Sequence, residues 1–185
     1  MTDSMPAYTQ WTIGDVNGIP PAGASGRTPA PTRLTERVVL AWLRQHRYGG
    51  VRGNGDQWVF ATHVPDAAGF SGSRTADAVA MNMWSSKGRE LHGHEVKVSR
   101  ADWLRELRQP DKAQAVAKYM DRWWLVVPDP AIVRDGELPD SWGMLVVTAD
   151  ECHVIRRAPK LRPAPLSRNF VAGLMRSTMK TARAE

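Results

Sequence analysis

Three residues with complementary chemistry lie in the middle of the chain: Asp77, Glu95 and Lys97. Glu95 and Lys97 are two positions apart in a run that reads His-Glu-Val-Lys-Val. If this run is a strand, its side chains alternate between faces, so Glu95 and Lys97 share one face and Val96 and Val98 share the other. An acid and a base on one strand face, with a second acid nearby, could bind a cation and hydrolyse a phosphodiester.

A hairpin would bring Asp77 to this pair. The predicted elements are a strand over 75–84, a turn over 85–88 (Ser-Ser-Lys-Gly) and a returning strand over 90–98. Converging carboxylates repel each other unless a cation neutralises them, and such oxygen ligands select Mg²⁺ or Mn²⁺ over zinc. The backbone carbonyl of Val96 is a natural extra ligand. Lys97 could orient or deprotonate the attacking water and offset charge in the transition state.

The Glu-x-Lys pair alone is a weak motif, because most such pairs are solvent-facing ion pairs. The elements around the pair are what favour the catalytic interpretation. Ser99 and Asp102 resemble a capping box at the start of a helix. Pro110 interrupts that helix, and a second helical piece extends to about Tyr119. A buried strand follows over 122–127. This strand–helix–strand unit predicts at least one pair of parallel strands.

Composition divides the chain into three parts. Residues 1–31 are rich in Pro, Gly, Ser and Thr, which favours a disordered or extended N-terminal arm. Residues 32–162 carry alternating helix and strand patterns, from a helix capped by Thr32 to two short final strands. They predict one α/β (α+β) domain. Residues 163–185 predict a basic amphipathic helix that packs on this domain.

Positive charge is concentrated at the C-terminal end of the chain. The net charge is +6, and residues 152–185 contain eight arginines and lysines against one acid, Glu185. A basic segment on a nearly neutral body suits an anionic polymer, and DNA is the expected partner. The alternative is a solvated helix face that only aids solubility.

Composition also excludes some classes of protein. The 42% hydrophobic content is that of a globular domain, and the apolar runs are too short to span a bilayer. Cys152 is the single cysteine, so an internal disulfide or a cysteine-rich zinc site is excluded. No apolar run follows Asp3 near the N-terminus, which predicts a cytoplasmic protein without a secretory signal or membrane association.

Four segments together resemble the PD-(D/E)XK nuclease superfamily, and within it the MmcB-like DNA-repair proteins. The segments are RTAD (74–77), EVKVSRADW (95–103), YMDRWW (119–124) and LP…GMLV (138–146). The resemblance covers roughly residues 74–161 and leaves out residues 1–31. It implies a restriction-endonuclease-like mixed central β-sheet flanked by helices, a Mg²⁺ or Mn²⁺ cofactor, and Asp77, Glu95 and Lys97 as the catalytic set.

The chain departs from the family pattern in two places. Met120 stands where the family has cysteine, and the helix after the catalytic strand carries about one extra turn around residues 108–115. The resemblance implies that Lys112 on this helix is a base beside the metal-binding residues. It also implies that Glu36, near the start of the first helix, is an additional metal ligand. The alternative for Glu36 is an exposed acid that suits the positive end of a helix dipole.

The roles of several other polar and aromatic residues can also be predicted. The predicted nucleic-acid contacts are Arg74, Arg100, Arg156, Arg157, Lys160 and Arg162. His92 and His94 would lie on the face opposite Glu95, so a structural role is favoured over metal binding. Trp103 and the pair at 123–124 fit a core, whereas Trp84, beside the turn, could stack on a nucleobase.

The leading hypothesis is a metal-dependent DNA nuclease of repair or recombination. One alternative is a non-catalytic DNA-binding or scaffold module with the same fold, which would join protein partners in a repair complex. The other is an unrelated α/β domain whose Glu-x-Lys pair is coincidental. An arrangement that separates Asp77 from Glu95 would favour this last alternative.

Overall fold

The computed structural model describes residues 34–49, 57–68, 74–109 and 111–184, with the side chains of 111 and 112 left out. The predicted arm over 1–31 lies outside the described residues. The described part belongs to one compact unit, Arg33–Glu185. Its helices are α1 (Glu36–Trp42, continued by a π-helical turn over Leu43–Arg47), α2 (Arg100–Leu107), α3 (Asp111–Ala117) and α4 (Arg168–Arg183). Its strands are β1 (Trp58–Pro65), β2 (Thr75–Asn82), β3 (Leu91–Val96), β4 (Arg122–Val127), β5 (Trp142–Val147) and β6 (Cys152–Arg156).

The six strands form one mixed sheet in chain order, β1 to β6. The first three strands are antiparallel neighbours, β3, β4 and β5 run parallel, and β6 pairs antiparallel with β5. The predicted strand–helix–strand unit is confirmed by the parallel pairing of β3 with β4. The predicted α/β (α+β) class, with a mixed sheet flanked by helices, is likewise confirmed.

A hydrophobic core lies on each face of the sheet. On one face, α2, α3 and α4 contribute Trp103, Val116 and Phe170, which pack with Trp123. On the other face, α1 and its π-helical extension pack against a set that includes Trp124. Trp103, Trp123 and Trp124 are all buried, so the expectation that they belong to the core is confirmed. Burial on both faces explains the nearly continuous apolar run in β4.

Side-chain caps define the starts of the helices. Ser99 is the cap of α2: its hydroxyl accepts a hydrogen bond from the Asp102 amide and donates one to the Asp102 carboxylate. The predicted helix start is confirmed, although the carboxylate bonds to the Ser99 hydroxyl and a capping box would have a bond to the Ser99 backbone amide. The cap of α1 is Thr35, which accepts from the Val38 amide. The prediction of Thr32 as this cap is therefore wrong. Thr32 and Thr35 lie three positions apart and have the same capping propensity, so the sequence pattern does not distinguish between them.

The segment between β6 and α4 is fastened to the body by backbone bonds from Leu161 to Asp121 and from Ala164 to Lys118. Helix α4 then lies against β1, where Thr181 accepts a bond from the Thr62 amide. Within the described part of the chain, no helix combines the length and apolar character that crossing a membrane would require.

Candidate active site

Asp77 and Glu95 lie opposite each other on adjacent antiparallel strands. Ala78 of β2 pairs with His94 of β3, and the same register places Asp77 across from Glu95. The Val96 amide donates a hydrogen bond of 2.7 Å to Asp77 Oδ2. The Asp77 side chain thus takes the position of a strand carbonyl at the end of the β2–β3 ladder. The hairpin pattern predicted the antiparallel pairing of the strands that carry Asp77 and Glu95, but not this bond.

Burial and mutual repulsion disfavour ionisation of this carboxylate pair. Burial raises the pKa of Glu95 to about 8, and the charge of Asp77 adds to the increase. Burial also raises the pKa of Asp77, to about 6, against the opposing effect of its bond from Val96. Two oxygen-donor groups that resist ionisation side by side are suited to a divalent cation, which would stabilise both in the charged form. The donor set therefore fits Mg²⁺ or Mn²⁺.

Lys97 lies between two carboxylates. Its Nζ is 2.5 Å from Glu95 Oε1 and 3.1 Å from Glu106 Oε2. Burial alone would lower the pKa of Lys97, but the charges of Glu95 and Glu106 outweigh it and raise the pKa above its ordinary value. Lys97 is therefore held as an ammonium group. Glu106, on α2, had no distinguishing feature in the sequence; only the packing of α2 beside β3 shows its contact with Lys97.

A cleft of about 350 Å³ opens over Glu95, Lys97 and Glu106. Its lining combines carboxylates with two basic side chains: Glu36, Glu95, Val96, Lys97, Val98, Asp102, Arg105 and Glu106. Val96, whose carbonyl was predicted as a ligand, is thus part of the cleft wall. The cleft joins the start of α1, the end of β3 and the outer face of α2.

Glu36 and His63 approach Asp77 from α1 and β1. One ligand atom from each of the three side chains lies within 4.8 Å of the others, and His63 Nδ1 is 4.0 Å from Glu36 Oε1. The β1–β2 register places His63 opposite Asp77, between the pairs Thr62–Ala78 and Val64–Ala76. Glu36 therefore lies beside Asp77, and its part as an additional metal ligand stays a prediction. No feature of the sequence pattern distinguishes His63 as a ligand.

His92 and His94 lie on the opposite face of the sheet from Glu95 and Lys97. His94 is fully buried and its Nε2 is 2.7 Å from the Tyr48 hydroxyl. Burial lowers the pKa of His92 to about 4 and that of His94 well below its ordinary value, so both are neutral near pH 7. The structural interpretation of this pair agrees with its place among aromatic rings.

Two of the predicted DNA contacts, Arg100 and Arg156, are bonded to loops of the protein itself. The Arg100 guanidinium binds both carboxylate oxygens of Glu137 and the Ile132 carbonyl. The Arg156 guanidinium donates to backbone carbonyls in the segment that leads into β5, including that of Trp142. Both side chains hold loops in place, so their geometry argues against a role for them in phosphate binding.

The other predicted contacts lie on the surface. Arg74, Arg157, Lys160 and Arg162 are exposed. Lys160 Nζ is 3.0 Å from Glu90 Oε1, and Glu90 also accepts a bond from Arg122. Lys112 belongs to α3, but its side chain lies outside the described residues.

Comparison with known proteins supports the fold and says nothing of the chemistry. No protein-family model matches the chain. No curated protein matches it. A solved structure of a protein of unknown function from Silicibacter pomeroyi is similar, with a TM-score of 0.52 and 24% sequence identity. The similarity covers 85% of this chain and 90% of that protein, so the two share their overall fold.

Proposed function

We propose that this protein is a Mg²⁺- or Mn²⁺-dependent nuclease that hydrolyses phosphodiester bonds in DNA, in repair or recombination. The observation that carries the proposal is the opposed pair Asp77 and Glu95 at one end of β3, with Lys97 bonded to Glu95. The resemblance to PD-(D/E)XK nucleases, drawn from four sequence segments, supports the same chemistry independently of this geometry.

The chain's own groups have distinct parts in this reaction. Asp77, Glu95 and the Val96 carbonyl would hold the cation, with Glu36 as a further carboxylate at the edge of the cleft. When bound, a divalent cation supplies charge neutralisation at the phosphate and lowers the pKa of water. Lys97, kept charged by its two carboxylate partners, would offset the negative charge that develops on the phosphate.

Glu106 gives Lys97 a fixed position. A lysine on a flexible stem loses side-chain entropy when it is placed beside a phosphate. The ion pair with Glu106, which is largely buried, holds the ammonium group before substrate arrives. Because both partners of Lys97 favour its charged form, electrostatic stabilisation is a better match to this geometry than removal of a proton.

The charge distribution suits DNA more than a small phosphate ester. Arg105 lines the cleft and is 66% exposed, and Arg108 is exposed just beyond the end of α2. Arg157 and Arg162 are exposed in the segment fastened beside β4. Basic side chains spread over separate elements can contact successive phosphates of a polymer.

The direct test is incubation of the full chain with linear, single-stranded, flap and branched DNAs in Mg²⁺ or Mn²⁺. We expect cleavage of at least one substrate, and loss of cleavage in EDTA, in Asp77→Asn and in Glu95→Gln. The matched control is Glu151→Gln, which removes an exposed carboxylate near β6. DNA binding without cleavage of any substrate would contradict the proposal and favour the non-catalytic binding module.

A further inference from the structure

A second group of potential ligands adjoins the pair formed by Asp77 and Glu95. Glu36, His63 and Asp77 come from α1, β1 and β2, and their ligand atoms lie within 4.8 Å of one another. The side chains of His63 and Glu36 are 63% and 45% exposed, so a hydrated cation can reach them without rearrangement of the core. Asp77 belongs to both groups and can donate one oxygen to each.

The charges around this group are unbalanced. The ionisable side chains around Asp77 are Lys97, Glu36, His63 and Glu95. Lys97 is already bonded to Glu95 and Glu106, whereas His63 is the basic side chain grouped with Glu36 and Asp77. Two carboxylates beside an imidazole form a net anionic set of mixed oxygen and nitrogen donors. Such a set attracts a divalent cation.

The imidazole changes which cation the group selects. Mg²⁺ prefers oxygen ligands in a near-ideal octahedron, whereas imidazole nitrogen is a ligand of first-row transition metals. A His63 nitrogen with two carboxylate oxygens therefore discriminates against Mg²⁺. The pair formed by Asp77 and Glu95 contains oxygen donors alone, so the two adjoining positions differ in chemistry.

The geometry points to a second cation site, formed by Glu36, His63 and the shared Asp77, that takes a divalent transition metal in preference to Mg²⁺. This inference rests on the proposed function for the identity of the neighbouring site and adds a cation of different preference beside it. With both positions filled, the protein would carry an oxygen-ligated cation near Glu95 and a nitrogen-ligated cation near His63. Both would adjoin the cleft that accepts a phosphate.

The test uses Mn²⁺ as the probe and needs no DNA. The full chain is titrated with Mn²⁺, free Mn²⁺ is counted by electron paramagnetic resonance, and pulsed measurements detect nitrogen coupled to bound Mn²⁺. We expect two Mn²⁺ ions per chain and a nitrogen coupling that excess Mg²⁺ does not remove. His63→Asn should reduce binding to one ion, without nitrogen coupling. Asparagine suits this position because the φ of His63 is +51°, a region that asparagine tolerates.

Two further variants complete the test. Glu95→Gln should lose the other ion and keep the nitrogen coupling. The matched control is His153→Asn, because His153 is a similarly exposed histidine whose Nε2 lies 2.8 Å from Glu151. It should bind two ions with the coupling intact.

The proposal is overturned if the parent shows no nitrogen coupling, or if His63→Asn binds Mn²⁺ as the parent does. Loss of the coupling in His153→Asn would also overturn it, since the nitrogen would then come from another site. The proposed nuclease function is judged separately, by cleavage in Mg²⁺. A nitrogen-coupled Mn²⁺ ion in a protein that cleaves no DNA would leave this site standing and refute the nuclease.

Discussion

The Val96 amide donates a 2.7 Å hydrogen bond to the Asp77 carboxylate, so a proposed metal ligand also completes the pairing of β2 with β3. Asp77 therefore contributes to stability in two opposing ways. Its charge repels Glu95 and Glu36, whereas its oxygen satisfies a backbone donor at the end of a strand. Substitutions that separate charge from hydrogen bonding can measure each contribution.

Asp77→Asn should keep an acceptor for Val96 and remove the charge. Asp77→Ala removes both. We expect Asp77→Asn to match or exceed the parent in free energy of unfolding in EDTA. Asp77→Ala should be less stable than Asp77→Asn by about 1–2 kcal/mol, the cost of an unsatisfied backbone donor. Urea unfolding measures the difference, and equal stability of the two variants would show that the bond to Val96 contributes nothing.

The stability of the cation-free protein should fall as pH rises from about 6.5 to 8. The folded pKa of Asp77 is raised to about 6 and that of Glu95 to about 8, whereas unfolded carboxyls have values near 4. Above pH 6.5 the folded state still holds a proton on Glu95 that the unfolded chain has lost, and this advantage disappears as pH passes through the raised pKa. Below pH 6.5 the lowered pKa values of His92 and His94 act in the opposite direction, because the unfolded chain binds protons there that the folded protein excludes. Urea unfolding in EDTA should show a loss of at least about 1 kcal/mol from pH 6.5 to pH 8.

Two comparisons isolate the source of that pH effect. Glu95→Gln should flatten the pH dependence, because the most strongly shifted carboxyl is gone. Mg²⁺ should raise the melting temperature more at pH 8 than at pH 5, since a cation competes with protons for the same oxygens. A parent protein that gains no thermal stability from either Mg²⁺ or Mn²⁺ at pH 8 would argue against a metal site.

Glu106→Gln should lower cleavage while leaving Mn²⁺ binding unchanged. The variant removes one of the two charges that hold the Lys97 ammonium group but touches none of the proposed ligands. We expect a reduction of roughly tenfold in cleavage rate at saturating DNA, equivalent to about 1.4 kcal/mol of transition-state stabilisation. Lys97→Met should abolish cleavage. Full activity of Glu106→Gln would show that Glu95 alone holds Lys97.

Arg157 and Arg162 should contribute to DNA binding more than Lys160 does, because Lys160 is paired with Glu90. Replacing all three with glutamine should weaken DNA binding. It should also reduce the slope of the logarithm of the binding constant against the logarithm of salt concentration by about two, less than the three expected from charge alone. The matched control replaces Arg176 and Lys180, exposed cations of α4, with glutamine. If that control changes affinity as much per charge, binding reflects net charge and not the location of these residues.

The sequence was sufficient to predict the part of the site that depends on strand alternation and one turn. Asp77, Glu95 and Lys97 were placed correctly because a hairpin with a turn at residues 85–88 fixes the register of its two strands. The histidine pair was placed on the opposite face by the same alternation. These are local relationships, in which neighbouring residues determine the geometry.

His63 and Glu106 were missed because their positions depend on contacts that the sequence pattern does not encode. His63 sits in a β-rich run, and its positive φ breaks the alternation that would have been used to assign its face. In the sequence, Glu106 has the features of an ordinary exposed acid on a helix. Only the folded structure shows its contact with Lys97. Arg100 and Arg156 read as surface cations for a related reason, since their partners are loop carbonyls and Glu137, far along the chain.

The consecutive order of β1, β2 and β3 has a consequence for how the chain folds. His63, Asp77 and Glu95 occupy opposed positions on three strands that follow one another in the chain, so forming this meander pairs segments that lie close in sequence. The ligands can therefore meet before the β4–β6 half of the sheet is attached. A cation that binds the meander would stabilise the folding transition state as well as the native state, and would thus speed folding in addition to slowing unfolding.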